Sequence, residues 1–419
     1  MESTRTERAD TEEEPATDSG RAPLLIVLAL GALTALAPLS LDMYLPALPG
    51  VADDLGVAAS TAQLTLTACL VGLAVGQLVV GPLSDALGRR PPLIVGMAVY
   101  TAATFACAFA HDATALLGLR VLQGIAGASG IVIARAIVRD LFDGVAAGRF
   151  FSTLMLVSGA APVAAPLVGG QLLRVTDWRG IFLVLGAVSA VILVLTVAAV
   201  RESLPPERRS GGALGATLRT MGGLLRDRVF TGYVLTGALA FAALFGYISG
   251  SSFVIQDIYG ASAQTFSLLF GLNGVGIVIA GQLNGHVLLG RFRMERLLAA
   301  GLAVITAAGA ALVALALVHA PLWAVVAALF VLASGMGLIL PNSTALSLQR
   351  AGHAAGAASA LLGTAQFLIG AAAGPLVGLG DGGSALPMAA TILTMSLAAC
   401  AACVLLTRPQ ALAPSRTAD

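Results

Sequence analysis

The chain has 419 residues, of which 58% are hydrophobic and 11% charged, with a formal net charge of +1. A soluble domain carries roughly 25% charged residues, so this much apolar surface excludes a water-soluble fold and points to a polytopic, all-α membrane protein. The balanced charge argues against a nucleic-acid partner. The absence of lysine rules out a Gly-x-x-x-x-Gly-Lys phosphate loop, and with it direct ATP use.

Residues 1–22 are polar and acidic, with Glu12, Glu13 and Glu14, and are expected to form a disordered cytoplasmic tail. The apolar segment that follows is full length and begins late, unlike a secretory signal, so it is expected to remain in the mature protein. Cutting the chain at its polar breaks predicts about twelve helices, starting near Leu24, Thr61, Pro92, Ala113, Phe150, Trp178, Phe230, Gln264, Leu297, Leu322, Gly356 and Pro387. Each approaches the roughly 20 residues that cross a hydrocarbon core. The polar connection 201–228, with Pro205, Pro206, Gly211 and Gly212, separates six helices in 23–200 from six in 229–407, and 408–419 is read as a second cytoplasmic tail.

Arginine placement sets the expected topology. Arg89, Arg90, Arg139 and Arg149 lie in alternate loops, six arginines from Arg201 to Arg228 fill the central connection, and the opposite loops hold only Arg174 and Arg179. The positive-inside bias then puts both termini in the cytoplasm, and the plasma (inner) membrane is the expected location. The four cysteines, Cys69, Cys107, Cys400 and Cys403, fall within apolar spans, where structural disulfides are not expected.

The halves repeat one another. Pro166-Leu-Val-Gly169 recurs as Pro375-Leu-Val-Gly378, an offset of 209 residues, and Gly285 to Arg293 reads as a degraded copy of Gly81 to Arg89 that keeps a glycine and the arginine but loses the acid. Two ordered matches at similar offsets point to a duplicated six-helix unit.

Three motifs carry a family resemblance. They are Gly81-Pro-Leu-Ser-Asp85-Ala-Leu-Gly88-Arg89-Arg90 between spans two and three, Leu41-Asp42-Met-Tyr44-Leu45-Pro46-Ala-Leu48-Pro49 at the end of span one, and Leu119-Arg120-Val-Leu-Gln123-Gly124 in span four. With them the chain resembles the major facilitator superfamily and, within it, the Bcr/CflA group of drug/proton antiporters. Span five fits the antiporter pattern in part: Gly159, Pro162, Pro166, Gly169 and Gly170 are present, but Ala165 stands where a glycine usually precedes the second proline. Small residues and proline there would let the helix seal the inner half of a cavity and flex.

An ionised side chain at mid-bilayer costs roughly 2.5 to 3.5 kcal/mol even on lenient insertion scales, so Asp42 and Arg120 stand out. Both lie about two turns from the outer end of their spans, at matching depth. In the fold the resemblance implies, spans one and four line the central cavity. Asp42 is expected to bind the driving proton, with its affinity set by burial and by Arg120; the competing reading is a permanent ion pair that only fixes packing. Tyr44, Gln123, Gly124 and Asn273 are the candidate cavity residues, against a role in interhelical packing and hydrogen bonding. Gly81, Asp85, Gly88, Arg89 and Arg90 are expected to latch the two halves when the cavity faces outward and to release when it faces inward.

His111, His286, His319 and His353 have no second histidine at ligand spacing, so neither metal nor cofactor is expected, and no enzyme signature is present. One acid and one arginine in an apolar cavity suit small, largely hydrophobic drugs. The resemblance suggests chloramphenicol- or bicyclomycin-like antibiotics exported by a monomer in exchange for protons. The alternative is a transporter of the same fold for an endogenous metabolite, as exporter or proton symporter.

Overall fold

The computed structural model describes residues 21–141, 160–209, 213–379 and 383–407. Every regular element among the described residues is a helix, with no strand. In the first half α1 spans Arg21–Asp42, α2 Leu48–Leu55, α3 Ala59–Leu87, α4 Arg90–Ala108, α5 Ala113–Leu141 and α7 Trp178–Ala199, with α6 at Ala160–Leu172. A connecting helix, α8 (Ala213–Leu224), leads to α9 Arg228–Phe253, α10 Ala263–Leu283, α11 Met294–Leu317, α12 Leu322–Ala351, α13 Ala355–Val377 and α14 Leu386–Thr407. Eleven spans among the described residues are long and apolar enough to cross a membrane, the first being α1 and α2 joined through a break. The expected start of span five at Phe150 lies outside the described residues, as does Gly159.

Lipid offers no partner for backbone amides, so each span is a helix and its ends need capping. Asp177 accepts from the Arg179 and Gly180 amides, Asp227 from those of Val229 and Phe230, and Ser262 from that of Thr265. Spans alternate in direction. The start of α1 and the end of α14 therefore share one face, called here the terminal face; the other is the far face.

Within the first half α5 packs against α3, α4 and α1, and α7 against α4 and α1; in the second, α9 packs against α12, α13 and α14, and α10 against α12. The halves meet mainly where α3 runs along α13. Glycines make that approach possible. A Cβ at Gly363 would sit 2.0 Å from Gln77 Oε1, one at Gly374 2.2 Å from Thr67 Oγ1, and one at Gly378 2.7 Å from Ser60 Cβ. On the terminal face α8 packs on both α3 and α13, so the stretch read as a plain polar connection contains a helix that touches both halves.

Candidate functional site

The first span breaks beside its acid. Pro38 lies inside α1, the helix ends at Asp42, and after a turn the chain forms a 3-10 segment, Leu45–Ala47, with Pro46 in it. A helix end leaves carbonyls without intrahelical partners, and side chains from other spans take them here. The Ser40 carbonyl accepts from Arg120 Nη1 at 3.1 Å. Beyond the break, the Leu45 carbonyl accepts from Ser252 Oγ at 2.7 Å and the Pro46 carbonyl from Gln256 Nε2 at 3.1 Å, both donors belonging to the second half. Gln256 Nε2 also donates to Ser252 Oγ at 2.8 Å.

Asp42 itself is 6% exposed. Its carboxylate takes part in no hydrogen bond or ion pair among the described residues. It lies within electrostatic range of Tyr247 on α9, across the boundary between halves. Tyr247 accepts from Asn273 Nδ2 at 2.8 Å and stacks on Phe270 with ring centroids 5.2 Å apart. Asn273 Oδ1 has no partner, and neither do the buried hydroxyls of Thr67, Ser249 and Thr364. These groups sit on α10, α3, α9 and α13, helices that meet where the halves join.

No ion pair joins Asp42 to Arg120. Arg120 is fully buried and makes its hydrogen bonds within the first half: Nε donates to the Thr65 carbonyl at 3.3 Å and Nη1 to Gln123 Oε1 at 2.6 Å, Nη2 has no hydrogen-bond partner among the described residues, and the guanidinium lies 5.2 Å from the Tyr44 ring centroid and 5.6 Å from that of Phe182. Gln123 passes the chain on by donating to Thr104 Oγ1 at 2.8 Å. Thr65 donates to Tyr44 Oη at 3.2 Å, and Ser40 Oγ and Tyr100 Oη share a hydrogen bond. Ser40 is two residues from Asp42, so the helix turns the two side chains apart, and the arginine grips the backbone behind the acid instead of the acid.

This network also takes up two of the four candidate cavity residues. Tyr44 and Gln123 are buried inside it. Gly124 faces α3, where a Cβ would lie 2.1 Å from the Cys69 carbonyl oxygen, so the two helices touch there. Asn273 alone of the four carries an unpartnered polar atom.

The described part of α6 lies toward the far side, and the half of this span expected to seal the inner part of the cavity lies outside the described residues. Gly169 abuts the α1 break, where a Cβ would meet the Met43 carbonyl oxygen at 2.1 Å, and Gly170 abuts Ser267 of α10. The Gly170 carbonyl accepts from Gln264 Nε2 at 2.8 Å. Pro162 and Pro166 lie in the same segment, which packs against α10 through Val163 and Leu167 at Gly274 and Gly271.

At the terminal end of α3 the charged turn closes on its own half. Arg89, 5% exposed, pairs with Asp85, donates through Nη1 to Ser84 Oγ at 2.9 Å, and donates through Nε to Asp140 at 2.8 Å. Arg90 reaches the Val200 and Val197 carbonyls. Glu202, which sequence reasoning missed, caps α4 by accepting from the Arg89 and Arg90 amides at 2.8 and 3.2 Å. Gly88 has φ +93°, and a Cβ there would lie 2.5 Å from Glu202 Oε2, so both its conformation and its space call for glycine. Gly81 has only Val132 nearby, at an ordinary contact distance. Burial alone would push the Glu202 carboxyl up, but hydrogen bonds from the Leu204, Arg89 and Arg90 amides and the charge of Arg209 outweigh it and hold the group below the ordinary glutamate range.

Residues 30–375 match the family model of the Major Facilitator Superfamily. The chain belongs to that superfamily. Among its relatives is an uncharacterized MFS-type transporter, YdgK, of Bacillus subtilis, 41% identical over 90% of this chain and 94% of that protein. A bicyclomycin resistance protein homolog of Haemophilus influenzae is 30% identical over 89% of this chain and 93% of its own length. In fold, the chain is similar to an inward-facing bacterial homologue of the human lysosomal transporter Spinster, with a TM-score of 0.69 at 16% identity over 93% and 95% of the two chains. This is an integral membrane transporter of the major facilitator fold.

Proposed function

We propose that the chain exports small, largely hydrophobic drugs in exchange for protons, with both termini in the cytoplasm. The observation that carries this reading is the Asp42 carboxylate, buried at the boundary between halves with no hydrogen bond or ion pair. A charged carboxylate so placed is costly, and taking up a proton removes the cost. The acid therefore changes its interaction with the second half according to whether it carries a proton.

The break after Asp42 links that change to access. Opening the far side requires Ser252 and Gln256 to release the Leu45 and Pro46 carbonyls, three and four residues beyond the acid. A proton entering from the far side neutralises Asp42. Substrate entering from the terminal face, and using the free capacity of Asn273 and neighbouring hydroxyls, favours its release, so proton and drug compete. Each charge moved across 100 mV supplies about 2.3 kcal/mol. Arg120 positions the end of α1 through Ser40 and does not neutralise Asp42. The internal contacts of the 81–90 turn suit a latch disengaged from the second half.

The name of the Haemophilus relative supports bicyclomycin-like compounds as substrates to test first. Expression in a host lacking its own efflux pumps, with susceptibility measured across a drug panel, tests the reading. Resistance that collapses with the proton gradient is expected. Unchanged susceptibility to every compound would overturn it.

A further inference from the structure

The two copies of the charged turn differ in how they treat their arginine. In the first half Arg89 is buried between Asp85 and Asp140. The offset of 204 residues between Gly81 and Gly285 places Leu289 at the position of Asp85 and Arg293 at that of Arg89. The offset of 209 between the starts of α5 and α12 places Gln349 at the position of Asp140. The second copy thus keeps the cation and replaces both of its carboxylates with neutral side chains.

The consequence is an open basic groove on the terminal face. Its volume is about 490 Å³, and Leu289, Arg291, Phe292, Arg293 and Gln349 line it, the three counterpart positions together. The Arg293 side chain is 76% exposed, and its carboxylate neighbour is Glu295 at 3.5 Å, itself in solvent. The Arg291 side chain has no hydrogen-bond or ion-pair partner among the described residues. Two arginines thus face one exposed carboxylate. Leu283 at the end of α10, Val287 just beyond it and Phe292 in the groove are exposed apolar side chains that lead along the chain to the arginines.

We propose that this groove binds the phosphate of an anionic phospholipid, with the headgroup on Arg291 and Arg293 and an acyl chain along Leu283 and Val287. A guanidinium fork matches phosphate oxygens two at a time. The adjoining apolar strip favours a lipid over free phosphate, which has nothing to place there. The site occupies the position where the first half spends two carboxylates on closing the same arginine.

Native mass spectrometry of the full-length protein, titrated with phosphatidylglycerol or phosphatidylcholine, tests the proposal. The wild type should retain phosphatidylglycerol in preference. Arg291→Gln/Arg293→Gln should weaken that retention roughly tenfold, and so should Leu289→Asp/Gln349→Asp, which restores the missing carboxylates without removing a cation. The arginine variant changes only exposed side chains, so it stays informative if the acid variant fails to fold. Retention unchanged in the arginine variant would overturn the site. Displacement of the lipid by millimolar inorganic phosphate would make free phosphate the ligand and overturn the lipid assignment.

Discussion

Ser252 Oγ donates to the Leu45 carbonyl at 2.7 Å, joining α9 to the first span three residues beyond Asp42. With Gln256 on Pro46, it holds the far side of the two halves together through backbone carbonyls that the broken helix leaves available.

Removing these donors should shift the protein toward opening on that face. A hydrogen bond of this kind contributes about 1 kcal/mol net, or roughly fivefold in a two-state population. Ser60 lines a narrow far-side cleft with Gly378 and Met388, so Ser60→Cys reports on the opening. In Ser252→Ala/Gln256→Ala, which removes two such bonds, an impermeant thiol reagent should label that cysteine roughly thirtyfold faster, and Ser252→Thr should restore the slow rate. Equal labelling in all three backgrounds would remove the clamp from the account.

The α3–α13 contact gives a size test. Gly374→Ala places a methyl 2.2 Å from Thr67 Oγ1, an overpacking that costs about 1–3 kcal/mol. Transport should fall about tenfold or more, and Thr67→Ala in the same chain should recover it by removing the obstructing atom. A double variant no better than Gly374→Ala would show that the contact is not the cause.

Arg120→Lys keeps the charge but cannot reach the Ser40 and Thr65 carbonyls and Gln123 together. Charge-assisted bonds lost inside the bundle should destabilise it by about 3 kcal/mol. Thermal unfolding in detergent reads this, and a lysine variant as stable as the parent would contradict the hub assigned to Arg120.

The cap formed by Glu202 depends on pH. Its carboxyl is held below the ordinary glutamate range in the folded protein, so its stabilisation is fully present above about pH 4.3 and is lost as pH falls through the lower folded value. Glu202→Gln should lower the melting temperature at pH 7, and its deficit against the parent should shrink below pH 4. A deficit that stays constant into acid would mean the charge is not what caps α4.

The sequence carried the architecture because lipid imposes it: apolar runs of near-constant length, arginine on alternate loops and a repeated Pro-Leu-Val-Gly are all local signals. Asp42 was legible for the same reason, as a charge where hydrocarbon tolerates few. The contacts of Arg120 were legible only in part: Gln123 stands one turn away in the sequence, but the Ser40 and Thr65 partners are backbone carbonyls, which leave no mark in residue type. Depth placed Asp42 and Arg120 at one level but said nothing of rotation about the helix axis, and rotation separates them. Pairs such as Thr67 with Gly374 and Ser252 with Leu45 join segments hundreds of residues apart and have no periodic signature. Glu202 could have been noticed as an acid at the start of an arginine-rich connection, immediately beyond α7.

The most direct measurement is proton-coupled drug uptake into inverted proteoliposomes carrying Asp42→Asn. An asparagine there fills the same space without taking up a proton, so drug exchange down a drug gradient should persist while accumulation driven by an imposed pH gradient disappears. Full pH-driven accumulation by the Asp42→Asn protein would contradict the role given to this carboxylate.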